Sequence, residues 1–234
     1  MRLLVLGGTH HVGRAVVETA LARGDEVTTL NRGVSDAPAP GADARHADRT
    51  DPEALAAALG DDTWDAVVDT WAFAPRFVQS AARLLTGRAA HYTYVSSRSV
   101  YTWPIDNGAD ESAPVVEGDP ASDDAEDYAA AKRGGELAVL EEFAGDVLLA
   151  RAGLILGPYE RVGRLPFWLH RIAAGGRVPA PGPRSRPLQY VDGRDLAAFA
   201  LGRPSGTFNT VSRPGHTTIG EVLEVALEPA PVTV

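Results

Sequence analysis

The sequence predicts an α/β fold: a doubly wound parallel sheet, covered by helices on both faces, followed by a small C-terminal lobe. Two observations predict it. Short, almost continuous apolar runs alternate with stretches whose apolar residues recur at helical spacing. After about residue 157, Pro158, Pro166, Pro179, Pro181, Pro183 and Pro187 break the chain into shorter elements. In order, Arg2–Leu6 reads as a strand, Val12–Arg23 as a helix and Val27–Leu30 as a second strand. Gly33–Ala44 holds Gly, Pro, Ser and Ala and reads as a loop. Asp51–Leu59 and Pro75–Leu85 read as helices, Ala66–Asp69 and Tyr92–Val95 as strands. Tyr128–Phe143 is a helix, Val147–Ala150 a strand, and a last helix is expected at about Thr217–Leu227. Strands that stay apolar residue after residue fit a sheet buried on both faces. A sheet of about seven strands is expected. The expected division is a first domain over 1–157 and a smaller lobe over 158–234 that sends segments back to the sheet.

The 234 residues allow one large domain, or one domain and a lobe, at roughly 100–200 residues per domain. No apolar run approaches the ~20 residues that a membrane helix needs. Met1–Leu6 runs into a Gly pair with no signal-cleavage pattern. The absence of cysteine excludes disulfides, zinc–thiolate sites and thiol catalysis. A cytoplasmic protein is the expectation. The net charge is −9, and nearly all of it comes from Asp110, Glu111, Glu117, Asp119, Asp123, Asp124, Glu126 and Asp127. This stretch reads as a solvated loop. The chain has no basic stripe for nucleic acid.

Leu6-Gly7-Gly8-Thr9-His10-His11-Val12-Gly13 lies between the first strand and the first helix. Glycine there permits a tight turn and close backbone approach to a pyrophosphate, which the helix N-terminus attracts. The same turn could be purely structural. His10 and His11 are adjacent, point apart and lack an evident third ligand, so no metal is expected. After the second strand, Asn31 stands where an acid that holds a ribose hydroxyl would be, and Arg32 follows. Loss of the acid and gain of Arg favour a 2′-phosphate, hence NADP over NAD. Arg32 covering the adenine of NAD is the alternative.

The 22 basic residues include one lysine, Lys132. A position kept as Lys in an Arg-rich chain points to a job only an ammonium does. Lys132 lies four residues after Tyr128, on one helix face with it. An ammonium beside a phenol favours phenolate, which would make Tyr128 a proton donor and acceptor near neutral pH. The strand at Tyr92–Val95 ends in Ser96-Ser97-Arg98-Ser99-Val100-Tyr101, where ligands of open α/β sheets bind.

Together the Gly turn, Asp48 in Ala47-Asp48-Arg49, Ser-Ser-x-x-Val-Tyr, Tyr128-x-x-x-Lys132 and Arg151-Ala152-Gly153-Leu154-Ile155-Leu156-Gly157-Pro158 resemble the extended short-chain dehydrogenase/reductase family, its epimerase/dehydratase group. Arg186-Pro187-Leu188-Gln189-Tyr190-Val191-Asp192 and Gly206-Thr207-Phe208-Asn209 are similar to its substrate-lobe segments. The resemblance covers about residues 1–230 and implies a Rossmann-type domain. It implies that Gly7, Thr9, His11, Val12 and Gly13 line the pyrophosphate, with His10 beside them. Asp48 would meet the adenine amine, and Thr70 and Trp71 the cofactor ribose. Ser97 would bond the reacting oxygen, Tyr128 exchange its proton, and Lys132 hold the nicotinamide ribose. Trp103 and Arg186 would face the substrate. A homodimer through the helices at Pro75–Leu85 and Tyr128–Phe143 is also implied.

The departures matter. His10 replaces the middle Gly of Gly-x-x-Gly-x-x-Gly, as in a Gly-Gly-Thr-x-x-x-Gly subgroup that includes the chloroplast stem-loop-binding proteins. Ser97 is followed by Arg98-Ser99, not the Asp-Glu of dehydratases, so dehydration is disfavoured. Leu154 replaces an Asn that meets nucleotide in many epimerases. The chain is also shorter than the family's usual members. The expectation is an NAD(P)-dependent oxidoreductase or epimerase acting on a secondary alcohol or ketone, sugar-nucleotide-like or another small metabolite. The rivals are a non-catalytic NAD(P)-binding regulator and an RNA-binding protein, which the charge opposes.

Overall fold

The computed structural model describes residues 1–34 and 36–227. Its first half runs β1 (Arg2–Leu6), α1 (His11–Ala22), β2 (Glu26–Asn31), β3 (Asp43–His46), α2 (Pro52–Leu59), β4 (Trp64–Asp69), α3 (Arg76–Leu85) and β5 (Ala89–Ser97). A single 3-10 turn at Arg98–Val100 and a long loop precede α4 (Tyr128–Glu142) and β6 (Asp146–Ala152). Then come β7 (Leu154–Leu156), α5 (Arg164–Ala173), β8 (Pro187–Leu188), β9 (Tyr190–Asp192), α6 (Gly193–Leu201), β10 (Gly206–Thr210), β11 (Thr217–Thr218) and α7 (Ile219–Leu227).

Seven strands form one sheet in the order β10-β6-β5-β4-β1-β2-β3, parallel throughout. The fold is therefore Rossmann-like, as expected. Alternate residues of β1 feed opposite faces: Leu3 and Val5 pack with α1 and α6, Leu4 and Leu6 with α2, α3 and α4. This explains apolar runs without alternation. Each such side chain contributes about 1.5–3 kcal/mol on burial. The chain direction across the sheet reverses between β1 and β4, which opens a crevice above their carboxyl ends.

The structure departs from the sequence reading where packing outweighs periodicity. The loop expected over Gly33–Ala44 ends early, because Asp43–His46 adds an edge strand to β2. β5 is longer than Tyr92–Val95, being held on both sides by β4 and β6. The last helix begins at Ile219, since Thr217 and Thr218 pair with β8. From beyond residue 157, β10 returns to extend the sheet beside β6 and α6 joins the α1 layer. Residues 228–234 of the expected lobe lie outside the described residues.

The acidic stretch is more than a solvated loop. Asp127 caps α4 by accepting from the Ala129 and Ala130 amides at 3.0 Å each. Glu111 accepts from the Asn209 amide at 2.7 Å, and Asp123 pairs with Arg76. The loop lies flat on α4 because Gly134 has no side chain; a Cβ there would sit 2.5 Å from the Asp119 carbonyl oxygen.

On the inner face of α4, Glu136 is wholly buried. It takes two bonds from Arg151 at 2.9 Å each, one from Arg133 at 2.9 Å and one from Ser96 at 2.7 Å. Removing one partner from such a cluster strands buried charge. Glu136→Gln is expected to lower the unfolding free energy by about 3–5 kcal/mol, measured by urea unfolding monitored by circular dichroism. A loss within error of zero contradicts this reading.

Candidate active site

The Gly turn follows β1 directly. Gly7 and Gly8 hold φ of 123° and 100°, which side chains rarely adopt. A Cβ on Gly7 would lie 2.6 Å from Thr70 Oγ1, and one on Gly13 2.7 Å from the Gly8 nitrogen. The cradle therefore has room for backbone only. α2 and α4 are capped by aspartates, whereas His10 makes no capping bond to α1, whose first turn carries no acid. The first N–H groups of α1 are left for an anion. His11 sits in the left-handed region at φ 46°, a strain of about 1–3 kcal/mol that concentrates at functional sites. Its buried Nε2 has no protein partner, and burial lowers its pKa against the opposing pull of Glu160. Uncapped amides, a backbone-only cradle and an orphaned imidazole nitrogen fit a dinucleotide pyrophosphate.

A cavity of about 510 Å³ extends from this turn across the ends of β4, β5 and β6. It brings together His10, His11, Val12, Gly13, Thr70, Ser97, Tyr128 and Lys132. Gly7 and the buried Thr9 lie beneath it in the turn. Ser97 Oγ accepts from the Ser99 amide at 3.1 Å, which leaves its proton to donate into the cavity. Tyr128, first residue of α4, is 45% exposed on the cavity wall.

Lys132 is buried, and its Nζ donates to the Trp71 and Val95 carbonyls at 2.5 and 2.7 Å. The ammonium is thus committed to two backbone oxygens and stands 4.7 Å from the Tyr94 ring centre, while its side chain also lines the cavity. Trp71 contributes through that carbonyl; its ring packs against Phe73, Phe77 and the Arg49 guanidinium. Its position follows from Asp69, which accepts from the Trp71 amide at 2.9 Å, from Tyr92 at 2.7 Å and from Arg49 twice, at 2.7 and 2.9 Å. Burial works to raise the Asp69 pKa, but Arg49 and the hydrogen bonds outweigh it and hold it below the usual carboxylate range.

The outlying residues divide. Asn31 serves the chain itself: its Oδ1 takes the Gly33 amide at 2.8 Å and its Nδ2 reaches the Gly7 carbonyl at 3.5 Å. Arg32 is exposed and close enough to Asp48 to help lower its pKa, behind the larger effect of the Thr50 hydrogen bonds. Trp103 lines a second cavity of about 690 Å³, contiguous with the first through Arg98, Gly153 and Leu154. Arg186 is exposed and lines neither cavity, because its segment is drawn into the β8–β11 pair. Sequence reasoning gave no role to Asp69, whose signal was an acid closing a buried apolar strand, nor to Arg98, Arg161 and Arg164, which line the first cavity.

Burial lowers the Lys132 pKa from 10.5 to about 7, with Asp69 opposing. Between these values the unfolded chain holds the extra proton, so this group makes stability rise with pH from about 7 to 10.5; its penalty is complete below 7. The difference in melting temperature between wild type and Lys132→Met is expected to shift in favour of wild type across that window. A difference independent of pH contradicts the assignment.

Comparison with known proteins bears on what this site belongs to. The family model described as the NAD dependent epimerase/dehydratase family matches residues 3–202. No curated protein matches. Among solved structures, Bordetella bronchiseptica WbmG in complex with NAD is 21% identical, with a TM-score of 0.78 over 97% of this chain and 77% of that one. A putative epimerase from Burkholderia cenocepacia is 25% identical, with a TM-score of 0.77 over 96% and 79%. The Thermus thermophilus UDP-glucose 4-epimerase complex with NAD is 22% identical, with a TM-score of 0.73 over 97% and 82%. These likenesses concern the fold, whereas the family model spans most of the sequence: the chain belongs to the NAD dependent epimerase/dehydratase family.

Proposed function

We propose that this protein is an NAD(P)-dependent epimerase or reductase acting on a secondary alcohol or the corresponding ketone. The observation that carries the proposal is the single cavity shared by the Gly turn, Ser97, Tyr128 and Lys132. The cofactor, when bound, accepts or returns a hydride at the substrate carbon. Gly7, Gly8, Gly13 and the free amides of α1 bind its pyrophosphate. Thr70 and Lys132 face its ribose. Arg32 and Asp48 form the adenosine end, next to the turn that Asn31 holds. Tyr128 takes the hydroxyl proton as the alcohol becomes a ketone and returns it in the reverse step. Ser97 donates to the same oxygen. The second cavity holds the rest of the substrate against Trp103.

The epimerases among the solved neighbours support the epimerase reading, in which the ketone is reduced again on its other face without leaving. Arg32 favours the reductase reading, because a cation and no ribose-directed acid suit NADP. Residues 1–157 carry the cofactor cradle and the reacting groups, and the lobe of residues 158–234 adds to the selection of a small substrate in the cytoplasm. A second copy docks on α3 and α4, where Leu140 stands 53% exposed. Among the described residues no helix is long and apolar enough to cross a membrane.

Two variants test this reading. Once a screen of ketones and alcohols on the cofactor-loaded protein has supplied a substrate, Tyr128→Phe is expected to cut turnover by about a hundredfold or more, with cofactor affinity retained. Unchanged turnover contradicts the proton role of Tyr128, and a screen that finds no substrate favours a regulator. Arg32→Asp is expected to weaken NADPH about tenfold or more and NADH by less, by calorimetry. Equal loss for both removes the case for NADP.

A further inference from the structure

Arg98 is the residue after Ser97, and it lines both cavities. Its guanidinium stacks 4.8 Å from the Trp103 ring centre. A stacked guanidinium keeps its edge N–H groups available, and that fork matches a carboxylate or phosphate. The other cations of the first cavity are placed differently. Lys132 is spent largely on two carbonyls, Arg161 pairs with Asp36, and Arg164 stands by His11 near the Gly turn. Arg98 meets a ring rather than a carboxylate among the described residues. No Asp or Glu lines the first cavity among the described residues, whereas Asp106 and Arg213 both line the second. Of the cations that line the first cavity, Arg98 is thus the one next to Ser97 in the chain and the one that the second cavity shares.

We infer that Arg98 binds an anionic group, a carboxylate or a phosphate, carried by the substrate close to its reacting carbon. The inference rests on the proposed hydride-transfer reading and narrows its substrate class. A substrate oxygen on Ser97 brings its neighbouring atoms within the reach of the next side chain, and Trp103 holds that side chain over the junction of the two cavities. Arg98 then fixes the carbon skeleton while Ser97 and Tyr128 act on the oxygen. It discriminates between acids and their neutral counterparts.

The test titrates inorganic phosphate and malonate into cofactor-saturated protein by calorimetry at fixed ionic strength, with wild type, Arg98→Gln and Arg98→Lys. Saturation occupies the pyrophosphate cradle, so the added anion reports on the substrate side. At least one anion is expected to bind wild type at millimolar concentration. Arg98→Gln is expected to weaken it tenfold or more and Arg98→Lys by less. Which anion binds better separates phosphate from carboxylate. Cofactor affinity in the same samples shows that the variants are folded. Equal anion binding by all three proteins, or none by wild type, overturns the inference and leaves the hydride-transfer reading intact. Failure of wild type to bind cofactor overturns both.

Discussion

Four hydrogen bonds converge on the buried carboxylate of Asp69 at the end of β4. A charge so placed is tolerable only when paired and fully bonded, and each partner is thereby fixed in turn. Arg49 ties the segment after β3, with Asp48 beside it, to the centre of the sheet. Tyr92 ties in β5; its phenol is raised well above its usual range by burial and by Asp69, so it stays a donor. The Trp71 amide sets the height of the Trp71 carbonyl, and that carbonyl with Val95 sets Lys132. The Asp48 end and the Lys132 end of the cleft thus share one anchor.

A second buried carboxylate does the corresponding work on the other side of β5. Glu136 joins Ser96, Arg133 and Arg151. Arg151 lies 4.9 Å from the Tyr101 ring centre, and Tyr101 bonds Asn209 at 2.7 Å. This chain of contacts carries the geometry of β5's end out to β10 and the acidic loop. Ser97 sits between the two anchors. The long stretch before α4 therefore acts as a strap whose cap at Asp127 aims Tyr128 and whose Glu111 holds β10.

Most of the sheet was legible because buried parallel strands leave apolar runs, and the Gly turn was legible because only glycine fits it. Tyr128 and Lys132 were legible as a pair four apart on one helix, although the two carbonyls that take the Lys132 ammonium are revealed by no spacing. The edge strand Asp43–His46 was not legible, since its residues are polar and its pairing comes from β2. Asp69 and Glu136 were hidden because a buried acid looks like any other until its partners, distant in sequence, are brought to it. The acidic stretch is solvated, as read, with seven of its eight acids exposed; its bonds to Arg76 and Asn209 were hidden because those partners are distant in sequence.

The central claim is that this cleft takes a nicotinamide dinucleotide with its reactive end at Ser97 and Tyr128. The most direct measurement is titration of the purified chain with NAD⁺, NADH, NADP⁺ and NADPH, following calorimetry and nicotinamide fluorescence. The account predicts saturable binding of at least one redox pair, with altered nicotinamide emission as the ring enters the cavity. Binding of none of the four would contradict it.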